Sequence, residues 1–205
     1  MKYVDLTRTF TDTMPIYFGD PPSTLKQVAT IEKNGYTDHQ LTTVMHVGTH
    51  MDAPLHMIEG GAYMSDFPPE QFAGPGIFID VRGKTVIDAD VLPASMPVGA
   101  VVLLYTGMDK KYGTQEYAME YPTITESFAK AVVAAGVKLI GFDILNPDKS
   151  EEYPIHKIFL AKPVLIIENL TNLEALVGVK KFEVFAFPMK LHAEAAPVRV
   201  VARIS

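Results

Sequence analysis

The segment that most constrains the fold of this chain covers residues 46–56 and reads HVGTHMDAPLH. Its even positions carry His, Gly, His, Asp, Pro and His, and its odd positions carry Val, Thr, Met, Ala and Leu. Successive side chains of an extended backbone point to opposite faces. An extended segment would therefore have one largely apolar face and one face that holds three imidazoles and a carboxylate.

A helix is a poor alternative for this segment, although His46 and His50 lie four residues apart. Gly48 and Pro54 are unfavourable inside a helix, and a residue before proline is biased toward extended backbone. The glutamate that follows the first histidine in helical zinc proteases is replaced here by Val47. We therefore predict an extended or bent segment, in which Gly48 permits a tight turn that lets His46 and His50 converge on one ion.

The polar face of this segment is typical of a metal site. Imidazole nitrogens and a carboxylate are the ligands that suit zinc, iron or manganese. A solvated strand surface is the alternative, but such a surface normally carries Lys, Glu, Thr or Ser. Three of the six histidines of the chain lie on this one face instead. We therefore predict that the segment binds metal.

Composition narrows the class of protein. With 205 residues, 48% of them hydrophobic, the chain can form one substantial core, and we predict a single domain over residues 1–205. A net charge of −6 without a basic cluster argues against a nucleic-acid partner. The absence of cysteine excludes disulfides, thiol catalysis and Cys-ligated zinc. The polar N-terminus and short apolar runs predict a cytoplasmic protein without a membrane partner.

Short β-rich runs separated by Gly/Pro turns predict the rest of the fold. The clearest helix covers about residues 124–135, with Thr123 as N-cap, Glu126 completing a capping box and Gly136 ending the helix. A shorter helical turn begins near Pro154. Many strands and few helices predict an α/β or α+β domain around a mixed sheet. The predicted strands are residues 3–7, 40–47, 77–81, 101–105, 139–142, 164–167, 182–187 and 198–204.

One segment rarely supplies a whole catalytic site, so we expect distant partners. Asp143 and Glu168 each end an apolar run, where a carboxylate is costly to bury unless it is paired or coordinated. His156 can reach the same crevice if a short helix packs beside the strand that precedes Glu168. For Asp143 we predict a structural role or one that orients a ligand histidine. His39 and His192 match no ligand position.

The 46–56 segment resembles the H-x-G-T-H-x-D-x-P-x-H signature of the metal-dependent cyclase family, which includes bacterial kynurenine formamidase and isatin hydrolase. Residues 15–21 (PIYFGDP) resemble its early aromatic loop, residues 168–170 (ENL) its second carboxylate motif, and residues 196–202 (APVRVVA) its final strand. The long signature is specific, whereas the shorter pieces would be weak alone. The resemblance implies a swivelling β/β/α domain with a mixed central sheet and few helices. It also implies a homodimer or higher homo-oligomer, with the partner chain close to the substrate pocket.

The resemblance implies two groups of metal ligands. His46, His50 and Asp52 would hold one ion. His156 and Glu168, with Asp52 bridging, would hold a second ion where two are present. Zn²⁺ is the expected cofactor, as one or two ions, with Mn²⁺ as the alternative.

The resemblance also implies that His56 is the general acid/base rather than a ligand. A bound metal ion lowers the pKa of its water toward ~7 and so supplies hydroxide at neutral pH, and a second ion can polarise the carbonyl. A titrating imidazole can then protonate the leaving nitrogen. The implied activity is hydrolysis of a C–N bond in a small non-peptide amide or formamide. An aryl formamide such as N-formylkynurenine is the leading substrate, and a lactam or ester of isatin-hydrolase type is the near alternative.

Two other classes of protein stay open. His46, His50 and Asp52 also form the two-histidine, one-carboxylate set of a mononuclear iron oxygenase, although the presence of His156 and Glu168 favours two ions and hydrolysis. A catalytically silent metal-binding scaffold is the third class. That class predicts an eroded site, and none of the implied site residues is missing.

The departures from the family pattern concern the substrate. Residues 144–148 read ILNPD where formamidases usually have a serine-containing stretch, and residues 191–194 (LHAE) replace a glycine-rich approach to the last strand. Tyr17 stands where formamidases commonly carry Trp. Tyr17 and Phe18 fit two roles, the lining of a pocket for a planar substrate or contacts between subunits.

Overall fold

The computed structural model describes residues 1–204, which form twelve strands and four α-helices. The strands are β1 (Lys2–Asp5), β2 (Thr24–Ala29), β3 (Asp38–Thr42), β4 (His50–Asp52), β5 (Ala73–Asp80), β6 (Val86–Ile87), β7 (Val101–Tyr105), β8 (Thr123–Ile124), β9 (Leu139–Phe142), β10 (Leu165–Glu168), β11 (Phe182–Pro188) and β12 (Ala195–Ile204). The helices are α1 (Ile31–Asn34), α2 (Gln115–Met119), α3 (Glu126–Ala134) and α4 (Pro154–Leu160). Single 3₁₀ turns occupy Pro54–His56, Met64–Asp66, Pro69–Phe72, Ala89–Val91, Met108–Lys111 and Leu173–Leu176.

Eight of the strands form a mixed sheet in the order β1-β12-β11-β5-β7-β9-β10-β4. The four central strands β5, β7, β9 and β10 run parallel, and the remaining pairs are antiparallel. The long strand β12 pairs with β11 over most of its length and with β4 at its start. The sheet therefore closes on itself in a barrel-like arrangement. The predicted fold class, a mixed central sheet with few helices, is confirmed.

The parallel strands β7, β9 and β10 are buried on both faces. In β7, Val101, Leu103 and Tyr105 belong to the core inside the barrel, whereas Val102 and Leu104 pack under helices α3 and α4. This alternation is the period of two that a pleated strand imposes. Strands covered on both sides appear in the sequence as continuous apolar runs. The predicted bounds of β7 and β9 agree with the observed ones for this reason.

Helix α3 begins later than predicted. The N-cap is Thr125, whose hydroxyl accepts a hydrogen bond from the backbone N–H of Phe128 (3.1 Å). Thr123, the predicted cap, instead lies in strand β8, which pairs with β6. The predicted capping box is wrong because Glu126 is the first helical residue rather than the third. Gly136 follows the helix with φ +72°, as predicted for a left-handed stop.

The hairpin formed by β2 and β3 lies apart from the main sheet. The two strands pair only with each other among residues 1–204, and every residue of β3 is exposed. The predicted strand at 40–47 is therefore shorter and differently placed than expected. No helix in the described part of the chain has the length and apolar character needed to cross a bilayer. The assignment of residues 1–205 to one domain stays a prediction.

Candidate metal centre

The 46–56 segment is bent rather than continuously extended. Only His50–Asp52 forms a strand, and Pro54–His56 forms a 3₁₀ turn. Gly48 turns the chain before the strand with φ +64°, in the left-handed region where glycine is favoured. The odd positions from 47 to 53 are buried, as the parity pattern predicts. The turn at Gly48 and the 3₁₀ turn, not the pleat of a strand, bring the three imidazoles together.

Two paired strands place three ligand side chains on one face. His50 of β4 lies directly opposite Glu168 of β10 in antiparallel register. Met51 and Ile167 point into the core of the barrel. Because side chains alternate along a strand, His50, Asp52 and Glu168 point to the opposite face. Helix α4 packs beside β10 and supplies the next histidine.

Asp148 orients His156, which lies on helix α4. Its carboxylate accepts hydrogen bonds from the backbone N–H groups of Ile155 (2.8 Å) and His156 (2.9 Å), and it lies 2.7 Å from His156 Nδ1. With Nδ1–H donated to Asp148, the opposite nitrogen faces the carboxylates. His156 Nε2 lies 3.3 Å from Glu168 Oε1 and 3.7 Å from Asp52 Oδ2. Asp148 is not among the predicted site residues, and its loop carries no periodic signal.

Asp143 has a structural role instead. It is fully buried and accepts hydrogen bonds from the N–H and hydroxyl groups of Thr106 (2.8 and 2.7 Å) and from the N–H of Gly107 (2.8 Å). Burial raises its pKa to about 6 despite these donors. It ties the end of β9 to the turn after β7. The prediction that it orients a ligand histidine is wrong, and its structural alternative is right.

The two buried carboxylates of the centre are each shared between histidines. Asp52 Oδ1 lies 3.1 Å from His46 Nδ1 and 3.5 Å from His50 Nε2, and its Oδ2 faces His156. Glu168 Oε2 lies 3.4 Å from His50 Nε2, and its Oε1 faces His156. Each carboxylate therefore turns one oxygen to His50 and the other to His156. The five residues predicted to be ligands therefore lie together around Asp52. The tightest groups of possible ligand atoms differ from the predicted ones: His46, Asp52 and His56 form one, and His50, Asp52 and Glu168 form the other.

The donor set fits divalent cations. Six buried side-chain atoms have no hydrogen-bond partner in the described part of the chain, and four of them belong to this centre: His50 Nε2, Asp52 Oδ1, Asp52 Oδ2 and Glu168 Oε1. Buried carboxylate oxygens without partners destabilise a fold by several kcal/mol, roughly, unless they are coordinated. His50 Nδ1 lies 2.9 Å from the carbonyl oxygen of Gly48, and the ring that donates there aims its Nε2 lone pair at the centre. Imidazole nitrogens with carboxylate oxygens are the ligands of zinc and manganese.

The protein groups alone bind protons tightly at this centre. Burial lowers the pKa of His50, but the carboxylates of Asp52 and Glu168 outweigh it and raise the pKa to about 9. Burial likewise opposes charging of His156, and Asp148 and Glu168 raise its pKa to about 10. Burial raises the pKa of Asp52, and the neighbouring histidines reverse this and hold the pKa well below its ordinary value. A cation that enters must displace the two histidine protons.

His56 lies in the wall of the centre. Its ring centroid is 4.1 Å from that of His46 and 5.7 Å from that of His156. Ligand atoms of His46, Asp52 and His56 lie within 4.8 Å of one another, so the geometry permits His56 to act as a ligand or as a proton carrier. Burial lowers its pKa to about 4, so the ring is neutral at pH 7 and can accept a proton.

A cavity of about 200 Å³ opens onto the centre and can hold a small molecule. Of the two aromatic residues predicted to line a pocket, Tyr17 contributes to this cavity, whereas Phe18 is 98% exposed. The lining residues are Tyr17, Asp20, His46, His56, Met57, Leu145, Asn146, Tyr153, His156 and Glu168.

Three further residues that were not predicted support the ligands. Glu194 Oε1 lies 3.6 Å from His46 Nε2. The hydroxyl of Thr49 donates to the backbone carbonyl of Asn169 (2.9 Å), which links the segment of His50 to the segment after β10. Thr49 and Asn169 lie inside the signature motifs, so their position was a usable signal. Glu194 comes from the approach to β12 and has no such signal.

Comparisons with known proteins agree with this geometry. The Cyclase family model matches residues 4–149. An uncharacterized protein of Methanocaldococcus jannaschii is 32% identical over 98% of this chain and 99% of its own length. The kynurenine formamidase of Delftia acidovorans is 31% identical over 92% of this chain and 91% of its own length. That of Sphingopyxis alaskensis is 28% identical, covering 97% and 96%.

Solved structures show the same fold. Isatin hydrolase A from Labrenzia aggregata, bound to benzyl benzoate, superposes with a TM-score of 0.88 over 99% of this chain and 93% of its own, at 21% identity. A potential metal-dependent hydrolase with cyclase activity superposes with a TM-score of 0.81 over 100% and 98%, at 27% identity. The chain belongs to the cyclase family. It is a metal-dependent hydrolase of that family.

Proposed function

We propose that this hydrolase cleaves the formamide bond of an aryl formamide, with N-formylkynurenine as the leading substrate. The observation that carries the proposal is a centre of three histidines and two carboxylates that opens directly into a small cavity, with His56 in the cavity wall. Two of the relatives that match this chain over nearly their whole length are kynurenine formamidases. Their identity to this chain, at 28% and 31%, supports the same substrate class.

We propose two divalent cations, Zn²⁺ with Mn²⁺ as the alternative. His46, His50 and Asp52 would hold one ion, and His156 and Glu168 would hold the other with Asp52 bridging. The support is that both oxygens of Asp52 are buried without hydrogen bonds and face different histidines. When bound, the ions supply a water of lowered pKa and polarise the carbonyl group under attack.

His56 would move the proton. Its ring is neutral at pH 7, so it can take a proton from the attacking water and pass it to the leaving nitrogen. The amine then leaves without a negative charge on nitrogen. Asp148 holds the His156 ring in place throughout. Met57 and Leu145 supply an apolar part of the lining that excludes water from the substrate.

The test is a hydrolysis screen of metal-loaded protein without oxygen or reductant. We expect N-formylkynurenine and formanilide to be hydrolysed faster than isatin or phenyl acetate, and chelator treatment to abolish turnover. Faster hydrolysis of isatin contradicts the aryl formamide and supports the lactam alternative. Turnover that requires oxygen and a reductant identifies the iron oxygenase instead. A metal-loaded protein that turns over none of these substrates contradicts the proposal in favour of the scaffold.

We propose that the chain forms a homodimer through the β2–β3 hairpin. Its other partner would be a small-molecule substrate, and we propose no nucleic-acid or membrane partner. The hairpin and its flanks expose Val28, Ile31, Tyr36 and Leu41, and an isolated two-stranded hairpin is only marginally stable in water. Light scattering should give twice the mass of one chain. Leu41→Asp should give a monomer, and Val86→Asp, at an exposed apolar residue outside the hairpin, should not. A monomeric wild type contradicts the proposal.

The cytoplasm remains the predicted compartment of the protein.

A further inference from the structure

Tyr153 has an unfavourable backbone conformation, with φ 50° and ψ 50°. Among the described residues 1–204, the other non-glycine positions with positive φ are Asn169 and Asn172. Asparagine tolerates the left-handed region, whereas a tyrosine there is a true outlier. Pro154 follows directly and further restricts the backbone of the residue before it. The surrounding structure must therefore hold Tyr153 in this conformation.

The start of helix α4 does not require the tyrosine side chain. Tyr153 occupies the N-cap position but makes no side-chain cap hydrogen bond. Asp148 accepts the hydrogen bonds from the N–H groups of Ile155 and His156 that a cap residue would otherwise accept. Glycine or asparagine would satisfy the same backbone more easily. The selection of tyrosine here therefore has to be explained by the position of its ring.

The Tyr153 ring forms part of the wall of the substrate cavity. Its centroid lies 5.9 Å from that of His156, with the two planes at 84°. Tyr17, from the aromatic loop, lines the same cavity, as do Met57 and Leu145. The nearby phenol of Tyr153 raises the pKa of Tyr17. Two tyrosines from distant segments thus line the cavity beside the metal centre.

We propose that Tyr153 is a specificity-determining residue that selects substrates with an aromatic leaving group. Its ring would pack against the aryl ring of the substrate while the centre holds the carbonyl group. The strained backbone of Tyr153 does not stabilise the helix, and it places the side chain in the wall of a ligand cavity. Backbone strain of this kind is typical of functional sites. Aromatic pairs at this spacing favour edge-to-face or offset packing. The inference rests on the proposed function, because it assigns the leaving-group side of the same reaction.

The test uses Tyr153→Gly and Tyr153→Asn, which relieve the backbone but remove the ring, and Tyr153→Phe, which keeps the ring. We expect kcat/KM for formanilide to fall about tenfold in the first two variants and to stay within about threefold in Tyr153→Phe. Calorimetric titration should show that aniline, the aryl product, binds more weakly to the first two variants. Formate, the product of the centre, should bind all variants equally. Metal content should not change, and Tm should not fall.

Three results would overturn the inference. One is a Tyr153→Gly variant that hydrolyses formanilide and binds aniline as well as the wild type does. Another is a Tyr153→Phe variant that loses as much as Tyr153→Gly, because the hydroxyl would then be the determinant. The third is a lower Tm in both ring-deleted variants, which would make the ring a structural element. If the wild type hydrolyses no formamide but aniline binding still depends on the ring, the proposed function fails and the aryl subsite stands.

Discussion

At the scale of single residues, the orientation of the ligand histidines depends on acceptors outside the ligand set. We expect Asp148→Asn to weaken zinc binding by about 10–100-fold, because an amide cannot accept all three hydrogen bonds that Asp148 accepts around His156. Competition with a zinc chelator measures this change.

The matched control for that variant is Asp143→Asn. Asp143 is equally buried and also accepts three hydrogen bonds, but from Thr106 and Gly107. Its loss should lower the free energy of unfolding by about 1–3 kcal/mol and leave zinc affinity unchanged. Equal zinc affinity in Asp148→Asn and the wild type would contradict the orienting role.

The two roles that the geometry permits for His56 predict different properties for a His56→Ala variant. As a proton carrier, His56→Ala should keep its metal and lose about 10²–10⁴-fold in kcat, whereas His50→Ala should lose metal and activity together. Elemental analysis beside a formanilide assay separates the two. If His56→Ala loses metal as completely as His50→Ala does, His56 is a ligand and the proton-transfer role is wrong.

At the scale of elements, the turn before β4 sets the spacing of the ligands. A Cβ at Gly48 would lie 2.8 Å from Met14 Cε, and the backbone there has φ +64°. Gly48→Ala should therefore cost about 1 kcal/mol of backbone strain, with a small further steric loss because the flexible end of the Met14 side chain must move aside, and should shift the turn that sets His46 against His50. The Tm and the metal content of the variant should both fall.

Gly60→Ala is the matched control, since Gly60 has φ +69° and no atom within 4 Å of an added Cβ. Gly60→Ala should lose only the stability that the strained backbone conformation costs. Adding Met14→Ala to Gly48→Ala should recover the steric part. A Gly48→Ala variant that is no less stable than Gly60→Ala would show that the turn tolerates a side chain.

Sequence predicts those elements whose burial leaves a periodic or continuous pattern. Strands β7 and β9 are predicted at their observed bounds because both faces are buried. The hairpin strand β2 has only one buried residue, Ala29, and leaves no such pattern. The capping-box pattern with Glu126 favours Thr123 as the cap, but the pairing of β8 with β6 places Thr123 in a strand and the helix begins after Thr125.

The residues of the site can likewise be divided into those that a sequence pattern predicts and those that it does not. His50 and Asp52 lie in one local motif, so their type and spacing are readable, and Glu168 is marked by the apolar strand it ends. Asp148 and Glu194 reach the ligands through loops whose paths depend on tertiary packing. No spacing along the chain records those contacts.

At the scale of the whole molecule, the centre couples protons, metal and stability. The pKa values of His50 and His156, about 9 and about 10, lie above the ordinary 6.5. Their protonation therefore stabilises the metal-free fold fully below about pH 6.5, and this stabilisation is lost as the pH rises through about 9 to 10. Metal must displace the same protons, so its affinity should rise over that range.

Chelator-treated protein should accordingly have a Tm that falls between about pH 6.5 and 9, while the gain in Tm on adding zinc grows. Thermal scans of both forms in matched buffers measure this. The double variant His50→Ala/His156→Ala should show neither trend. A Tm of the metal-free wild type that does not change over this range would mean that these histidines are not held protonated.

The central claim is that five side chains form one centre in which Asp52 is shared by two ions. Elemental analysis of zinc-loaded, gel-filtered protein tests it most directly. We predict about two equivalents of zinc per chain in the wild type, about one in His156→Ala, and close to none in Asp52→Ala. Less than one equivalent in the wild type, or full occupancy in Asp52→Ala, would contradict the claim.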